Sequence, residues 1–302
     1  MNGNDRLSAA DTAAVFAALS QETRLEAYRL LLRYQPFGLA AGDISRLLAV
    51  PHNTLSTHLS LLQNAGLVRS RREGRSVIFA ANPVRLAAAE AFLDQGRTQA
   101  QPRKTTATTR SQSAPFPRKR SEDDLSKNRY NVLVLCTGNT ARSIMAEAIL
   151  NREGQGRFHA YSAGSRPKSK PHPIGLELLG SLGYDISSLR SKSWMEFSEP
   201  GAPKMDFIIT VCDTAAGEAC PHWPGHPLVA HWGIPDPTAV TGPAEVKRAA
   251  FHEAYRRLMN RLTAFINLPF DDLGLADLKI RLAEIGKMEG ATQMTLSGSV
   301  AA

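Results

Sequence analysis

The residues with the greatest capacity for chemistry are three cysteines and the short segment after the first of them. We call this segment the oxyanion loop; it reads Cys136-Thr137-Gly138-Asn139-Thr140-Ala141-Arg142-Ser143. Its backbone N–H groups can converge on a tetrahedral anion, and the planar guanidinium of Arg142 can contact two oxygens of that anion. The same positive field favours the thiolate of Cys136, so we expect a nucleophile near neutral pH. Ser143 is placed to donate a hydrogen bond to the sulfur, and Asn139 to brace the loop.

Two more cysteines and one aspartate follow in positions that suit the same site. Cys212 ends the strand-like run MDFIITV, and because parallel strands end at the same sheet edge, it could lie near Cys136. A flexible Ala-Ala-Gly segment could let Cys220 reach Cys212. A zinc site is the alternative, but the C-x-x-C spacing of common zinc sites is missing, so we predict no metal. Asp236, in HWGIPDP, could protonate a leaving oxygen, although an Asp-Pro pair is also typical of an ordinary turn.

A strand and a helix must hold the oxyanion loop. Residues 130–135 (YNVLVL) are typical of a buried parallel strand, and residues 144–153 (IMAEAILNRE) of an amphipathic helix. The helix N-terminus adds partial positive charge. An inert buried cysteine is the alternative, but C-x-G-N-x-x-R-S between a strand and a helix favours an anion site. The predicted oxyanion-binding residues are Thr137, Gly138, Asn139, Thr140, Ala141, Arg142 and Ser143. A helix over 245–266 closes the domain, with a core stripe of Phe251, Tyr255, Leu258, Leu262 and Phe265.

The N-terminal part of the chain predicts a different activity. A helix after Ser20 places Leu25, Tyr28 and Leu32 on one face, a short helix covers 43–48, and a helix over 52–64 has a stripe of leucines. Gly66 ends that helix, and two short strands follow with a turn at Glu73-Gly74. A helix-turn-helix followed by a hairpin can bind DNA, although each piece alone is typical of a solvated surface. The predicted DNA contacts are Asn53, Thr54, Ser56, Thr57, His58, Arg71, Arg72 and Arg75.

Composition agrees with two domains of different charge. The 302 residues carry a net charge of +8, of which residues 1–98 contribute +3, residues 99–129 contribute +5 and residues 130–302 contribute zero. A basic half indicates a polyanionic partner such as nucleic acid, and a neutral half with all the thiols indicates catalysis. Three cysteines argue against a secreted disulfide scaffold, and the sequence shows neither a signal peptide nor a membrane span. We therefore expect a cytoplasmic protein.

The segment ALSQETRLEAYRLLL…AGDISRLLAVPHNTLSTHLSLLQNAGLVRSRREGRSVIFAAN resembles the winged-helix repressors of the ArsR type over residues 12–95. The resemblance implies a homodimer that binds a palindromic operator. Metalloid sensors of this family commonly bind arsenite through cysteines in the helix before the recognition helix, and ISRLLAVPHN contains none. DNA binding is therefore better supported than effector binding by this domain.

The second half is similar to the low-molecular-weight tyrosine phosphatases and, among them, to the arsenate reductases of the ArsC type. CTGNTARSIMAEA, YSAG, VCDTAAGEACP and HWGIPDP carry the likeness over about 130–286. Ala141 and Thr238 stand where the phosphatases usually have a cysteine and an aromatic residue. The resemblance implies a relay in which Cys136 attacks arsenate, Cys212 attacks Cys136 to release arsenite, and Cys220 attacks Cys212. Thioredoxin, glutaredoxin or a small thiol then reduces the disulfide, and no tightly bound cofactor is implied.

The predicted architecture is a mainly α winged helix-turn-helix domain at 1–98, a flexible basic linker at 99–129, an α/β phosphatase-like domain with a central parallel sheet at 130–286, and a disordered tail at 287–302. The favoured function is an arsenate reductase fused to an arsenic-responsive transcriptional regulator. Two alternatives remain: a tyrosine phosphatase fused to a regulator, and a non-enzymatic repressor that senses oxyanion or redox state.

Overall fold

The structure, a computed structural model, describes residues 7–73, 76–97, 129–218, 221, 223, 226–270 and 272–298. Almost all of the predicted linker at 99–129, together with Arg75 and Cys220, lies outside these ranges. The chain divides into two compact units, Met1–Lys119 and Arg120–Ala302.

The N-terminal unit is a helical domain with a small antiparallel sheet. The sheet has the order β1-β3-β2, and the hairpin of β2 and β3 pairs Val68 with Ala81. Its elements are α1 (Ala9–Leu19), α2 (Glu22–Arg33), β1 (Leu39–Ala40), α3 (Ala41–Leu48), α4 (His52–Asn64), β2 (Val68–Glu73), β3 (Ser76–Ala81) and α5 (Pro83–Arg97).

The helix-turn-helix is formed by α3 and α4. Helix α4 has the predicted bounds, and its three leucines at 55, 59 and 62 are buried as the spacing requires. Gly66 follows it with φ +74°, a left-handed conformation that glycine adopts without steric cost. The prediction for α2 is wrong in part: Tyr28 is buried, but Leu25 and Leu32 are exposed. Ala27 and Leu31 fill the core face instead.

The C-terminal unit is an α/β domain around a parallel sheet of order β5-β4-β6-β7. This confirms the predicted fold class. Its elements are β4 (Tyr130–Cys136), α6 (Arg142–Glu153), β5 (Phe158–Gly164), α7 (Pro173–Ser181), β6 (Phe207–Thr210), α8 (Asp213–Gly217), β7 (Leu228–His231), α9 (Ala244–Ile266), α10 (Leu275–Gly286) and α11 (Gln293–Ser297).

The central strands bring the cysteine-bearing ends together. Strand β4 pairs with β5, where Cys136 is opposite Gly164, and with β6, where Leu135 is opposite Thr210. Both Cys136 and Cys212 therefore lie at the carboxyl edge of the sheet. The predicted core stripe of α9 is confirmed, because all five of its apolar side chains are buried.

The predicted disordered tail is wrong for residues 287–298. Met288 and Thr295 are buried, and residues 293–297 form α11. The reason is a buried cation: the guanidinium of Arg261 on α9 donates to the carbonyls of Gly286, Met288 and Glu289 at 3.2, 2.8 and 3.2 Å. A buried arginine needs such partners, so the segment is fastened to the domain.

Candidate functional site

The oxyanion loop joins the carboxyl end of β4 to the first turn of α6. Ala141 occupies the N-cap position of α6 without a side-chain hydrogen bond to the helix. The first N–H groups of a helix lack intrahelical partners, so in this loop they are available to an anion.

The loop carbonyls are held by the segment that follows β5. The carbonyls of residues 136, 137, 138 and 140 accept from the backbone N–H groups of residues 165, 166, 168 and 172, at 2.8–3.3 Å. Gly164 lies directly under the loop, where a Cβ atom would be 2.5 Å from the Thr137 carbonyl oxygen. With its carbonyls turned to this segment, the loop can direct amides to the opposite side, as anion-binding loops do.

Asn139 braces the loop, as the sequence predicted. It is fully buried with φ +44°, and its backbone N–H donates to Cys136 Sγ at 3.2 Å. Its Nδ2 donates to the hydroxyls of Ser143 and Ser162, both at 2.9 Å, and its Oδ1 accepts from the N–H of Lys192 at 2.7 Å. A side chain bonded on every side holds a strained backbone conformation in place.

The thiol of Cys136 is buried and lies 2.9 Å from the hydroxyl oxygen of Ser143. Burial raises the pKa of the Cys136 thiol, while the Ser143 hydrogen bond and the charge of Arg142 lower it. The expectation of a thiolate near neutral pH is therefore wrong for this structure, because desolvation outweighs the favourable neighbours.

Arg142 and Asp236 form an ion pair at the mouth of the loop. Arg142 Nη2 donates to Asp236 Oδ2 at 2.8 Å, and Nη1 donates to the carbonyl of Ile234 at 2.9 Å. The other carboxylate oxygen accepts from the N–H and the hydroxyl of Thr238, each at 2.9 Å. A guanidinium has five N–H donors, so two bonds leave three to contact an anion. The ion pair thus places the Asp236 carboxylate next to the guanidinium that could contact such an anion.

Cys212 lies against the oxyanion loop. Its Sγ is 3.4 Å from the hydroxyl oxygen of Thr137, and the preceding Val211 N–H donates to the Leu135 carbonyl. Cys212 is a free thiol, 3% exposed, at the N-cap position of α8. A second thiol beside the loop of the first is what the strand argument predicted. The position of Cys220 lies outside the described residues.

The candidate DNA-binding surface is separate from this site and belongs to the N-terminal unit. Asn53, Thr54, Ser56 and Thr57 are exposed on α4, whereas His58 is half-buried. Of the predicted hairpin contacts, Arg72 is exposed and Arg75 lies outside the described residues.

Arg71 differs from the other hairpin arginines. Its guanidinium donates to Glu73 Oε1 and to the Phe37 carbonyl oxygen, both at 2.6 Å. These bonds tie the hairpin to the segment between α2 and β1, which reduces the freedom of Arg71 to contact DNA.

Comparison with known proteins agrees with this division. Residues 131–274 match the family described as low molecular weight phosphotyrosine protein phosphatase, and residues 19–71 match a helix-turn-helix domain. An arsenate reductase of Bacillus subtilis (strain 168) is 32% identical over 134 residues, covering 44% of this chain and 93% of that protein. The chain belongs to the low molecular weight phosphotyrosine protein phosphatase family. The predicted fusion of an ArsR-type domain with an ArsC-like member of this family is confirmed.

Each of the two units has a further similar protein. An arsenate reductase of Halalkalibacterium halodurans is 30% identical over 138 residues, covering 46% of this chain and 96% of that protein. A solved structure of an ArsR-like transcriptional regulator from Rhodococcus sp. RHA1 is 32% identical, with a TM-score of 0.27, covering 30% of this chain and 82% of that one.

The sequence analysis did not predict a buried ion pair that lies close to the oxyanion loop. Lys192 Nζ lies 3.0 Å from Glu147 Oε2, and both side chains are almost fully buried. The same carboxylate oxygen accepts from Ser162 Oγ, which in turn accepts from Asn139. Glu147 occupies the helix after the loop, where one polar residue among apolar neighbours was the available signal. Lys192 comes from a loop 45 residues later, which no local pattern connects to it.

Two kinds of feature are absent from the part of the chain that the structure describes. His, Cys, Asp and Glu side chains in these ranges form no group of three or more that could hold a metal ion. No helix within them combines the length and hydrophobicity of a membrane span.

Proposed function

We propose that the C-terminal domain reduces arsenate to arsenite and that the N-terminal domain is a DNA-binding, arsenic-responsive regulator. The observation that carries the enzymatic part is the 3.4 Å distance between Cys212 Sγ and Thr137 Oγ1 of the oxyanion loop. A phosphatase needs one thiol at this loop, whereas reduction of an arsenic–sulfur adduct needs a second thiol beside the first.

In the proposed first step, arsenate binds the amides of the oxyanion loop and the guanidinium of Arg142. Cys136 Sγ attacks arsenic, an arsenic–oxygen bond breaks, and Asp236 protonates the oxygen that leaves as water. Burial raises the pKa of Cys136, so the bound arsenate dianion is the natural acceptor of the thiol proton.

In the second step, the Cys212 thiolate attacks Cys136 Sγ. A disulfide forms, the sulfur–arsenic bond breaks, and its electron pair reduces arsenic from the +5 to the +3 state, so that arsenite leaves. Cys220 then attacks Cys212 and frees Cys136. An external dithiol such as thioredoxin or glutaredoxin, or a small thiol, reduces the Cys212–Cys220 disulfide. The relay requires reduced thiols and the regulator requires operator DNA. The compartment that contains both is the cytoplasm.

For the N-terminal domain we propose a homodimer on a palindromic operator. Large apolar side chains are exposed on its first and last helices: Phe16 on α1, and Val84 and Leu93 on α5. Exposed apolar surface of this kind supports association with a second copy. The exposed polar face of α4 supports contacts to base edges in the major groove.

The enzymatic proposal is tested by arsenate-dependent oxidation of a thioredoxin system, compared with a glutaredoxin system and a small thiol. We expect turnover that Cys136→Ser and Cys212→Ser abolish. Arsenate turnover that survives Cys136→Ser would refute the relay. Hydrolysis of an aryl phosphate by the Cys212→Ser, Cys220→Ser double variant, without arsenate reduction by the wild type, would identify a phosphatase instead.

The regulatory proposal is tested by operator binding of the full chain with arsenate, arsenite or reductant added. We expect arsenite to lower operator affinity. A change of affinity without multiple turnover of arsenate would identify the non-enzymatic sensor.

A further inference from the structure

Helix α8 begins directly after Cys212 and is fastened by residues from the end of the described chain. We call residues 286–298 the C-terminal clamp. The clamp lies beyond residues 131–274, which match the phosphatase family, so the family match does not account for it. Its base is anchored by the buried guanidinium of Arg261, which donates to carbonyls at 286, 288 and 289. Arg256 adds an ion pair to Glu289 at 3.0 Å.

From this anchor the clamp reaches the start of α8. Thr292 Oγ1 donates to Asp213 Oδ1 at 2.5 Å, and the backbone N–H of Thr292 donates to the Gly233 carbonyl at 3.0 Å. Thr295 Oγ1 accepts from the Gly233 N–H at 3.0 Å and lies 3.1 Å from Thr292 Oγ1. Asp213 is the first residue of α8, so one hydroxyl of the clamp holds the residue next to the Cys212 thiol.

A histidine holds the same carboxylate from the sheet side. His231 Nε2 lies 3.0 Å from Asp213 Oδ1, and His231 Nδ1 lies 2.8 Å from the hydroxyl of Thr210. The tautomer that satisfies both bonds carries its proton on Nε2. The C-terminal clamp packs closely against the start of α8, since a Cβ atom at Gly233 would be 2.3 Å from Thr292 Oγ1 and 2.5 Å from Asp213 Oδ1.

We propose that Thr292 is a positioning residue that keeps Cys212 facing the oxyanion loop. The proposal rests on the arsenate relay, in which Cys212 must first attack Cys136 and then be attacked by Cys220. The first exchange needs Cys212 in its buried position beside Thr137. The second needs its sulfur accessible, because an attacking thiolate must reach the target sulfur. The clamp favours the first position and has to loosen for the second.

The test is the reactivity of Cys212 in the reduced full-length chain, followed by peptide-resolved mass spectrometry during alkylation with N-ethylmaleimide. Thr292→Val keeps the size of the side chain and removes its hydroxyl. We expect Cys212 to react about tenfold faster, as for the loss of one hydrogen bond to a charged acceptor, with Cys136 unchanged. Thr292→Ser should restore the wild-type rate. Leu296→Ala, an exposed position on α11, is the matched control and should change nothing.

A second variant protects the test against misfolding. Asp213→Ala removes the same hydrogen bond from the other side, together with the contact to His231, and should give at least the same increase. Circular dichroism verifies that each variant is folded. An unchanged rate at Cys212 in a folded Thr292→Val or Asp213→Ala chain would overturn the proposal.

Turnover gives an independent measurement. If Thr292 positions Cys212, the single-turnover rate of arsenite release, which reports the first exchange, falls in Thr292→Val, while arsenate binding is unchanged because the oxyanion loop is untouched. The alkylation assay needs no arsenate, so it separates the two proposals. Faster alkylation of Cys212 in Thr292→Val, in a protein without arsenate turnover, would reject the relay and retain the positioning role of Thr292. Unchanged alkylation of Cys212 in an active reductase would reject the positioning role and retain the relay.

Discussion

The Sγ atom of Cys136 and the hydroxyl oxygen of Ser143 lie 2.9 Å apart in the buried base of the oxyanion loop. This hydrogen bond lowers the pKa of a thiol that burial raises. It is therefore the main local interaction that favours the nucleophilic form of Cys136 before an anion enters.

Replacing Ser143 with alanine should raise the pKa of Cys136 further. Because the thiolate is the reactive form, alkylation of Cys136 should shift to higher pH, with a rate about tenfold lower below its pKa, as for one lost hydrogen bond to a charged group. The pH dependence of iodoacetamide labelling, read on the Cys136 peptide, measures this. Ser187→Ala, in an exposed turn, is the control. A faster reaction of the Ser143→Ala chain at any pH would contradict the assignment.

Adding a methyl group at Gly164 should displace the oxyanion loop. A Cβ atom there would be 2.5 Å from the Thr137 carbonyl oxygen and 3.0 Å from the backbone nitrogen of Asn139. We expect Gly164→Ala to weaken protection of Cys136 by phosphate against alkylation by about tenfold or more, since small displacements of binding groups are costly. Gly180→Ala on α7 is the matched control, because its Cβ would meet only Ile186 at 3.8 Å. Equal protection in both variants would show that the loop tolerates the methyl group.

The buried pair of Glu147 and Lys192 should matter for stability. Lys192→Met leaves an uncompensated buried carboxylate, so the free energy of unfolding should fall by about 3–5 kcal/mol. Fluorescence during urea unfolding reports this unit, since all three tryptophans lie between residues 194 and 232. The double variant Glu147→Gln, Lys192→Met should recover most of the loss.

A solvent-exposed pair is the control for that measurement. Arg190 Nη2 lies 2.6 Å from Glu196 Oε2, and the two side chains are 61% and 42% exposed. Arg190→Met should change the free energy of unfolding by less than about 1 kcal/mol. A similar effect of both substitutions would mean that the buried pair has no special role.

The two predicted classes of DNA contact should respond differently to mutation. Asn53→Ala, at the exposed start of α4, should lower the preference for operator over random DNA by about 1–3 kcal/mol. Arg72→Ala should weaken binding to both DNAs alike and reduce the slope of log affinity against log salt by about one. Fluorescence anisotropy at several salt concentrations measures both. Gln63→Ala, exposed near the end of α4, is the control; loss of specificity there as well would argue against base reading by Asn53.

Local sequence patterns were sufficient to predict the helices and strands that carry the candidate sites. The leucine stripe and Gly66 predicted α4 with its observed bounds. The apolar run ending at Cys136 predicted β4, and the parallel pairing of β4 with β6 brought Cys212 to the loop as expected. These predictions succeeded because strand ends and helix faces follow from residues close in sequence.

What the sequence did not predict depends on contacts between distant residues. Thr292 and Thr295 have no hydrophobic periodicity, and the partner Asp213 lies 79 residues before Thr292, so the clamp resembled a disordered tail. The direction of the Cys136 pKa shift likewise follows from burial of the thiol, which the whole domain produces. In α2, Leu25 and Leu32 fit a helical stripe, but Ala27 and Leu31 face the core because the packing of neighbouring helices sets the rotation of α2.

The buried guanidinium of Arg261 also sets an order of events during synthesis on the ribosome. Its carbonyl partners at 286, 288 and 289 are translated some 25 residues after it, so Arg261 lacks these three hydrogen bonds until they emerge. The C-terminal domain therefore closes late, whereas every described element of the N-terminal domain is translated by Arg97. A nascent chain can thus present a complete helix-turn-helix domain before its C-terminal domain is finished.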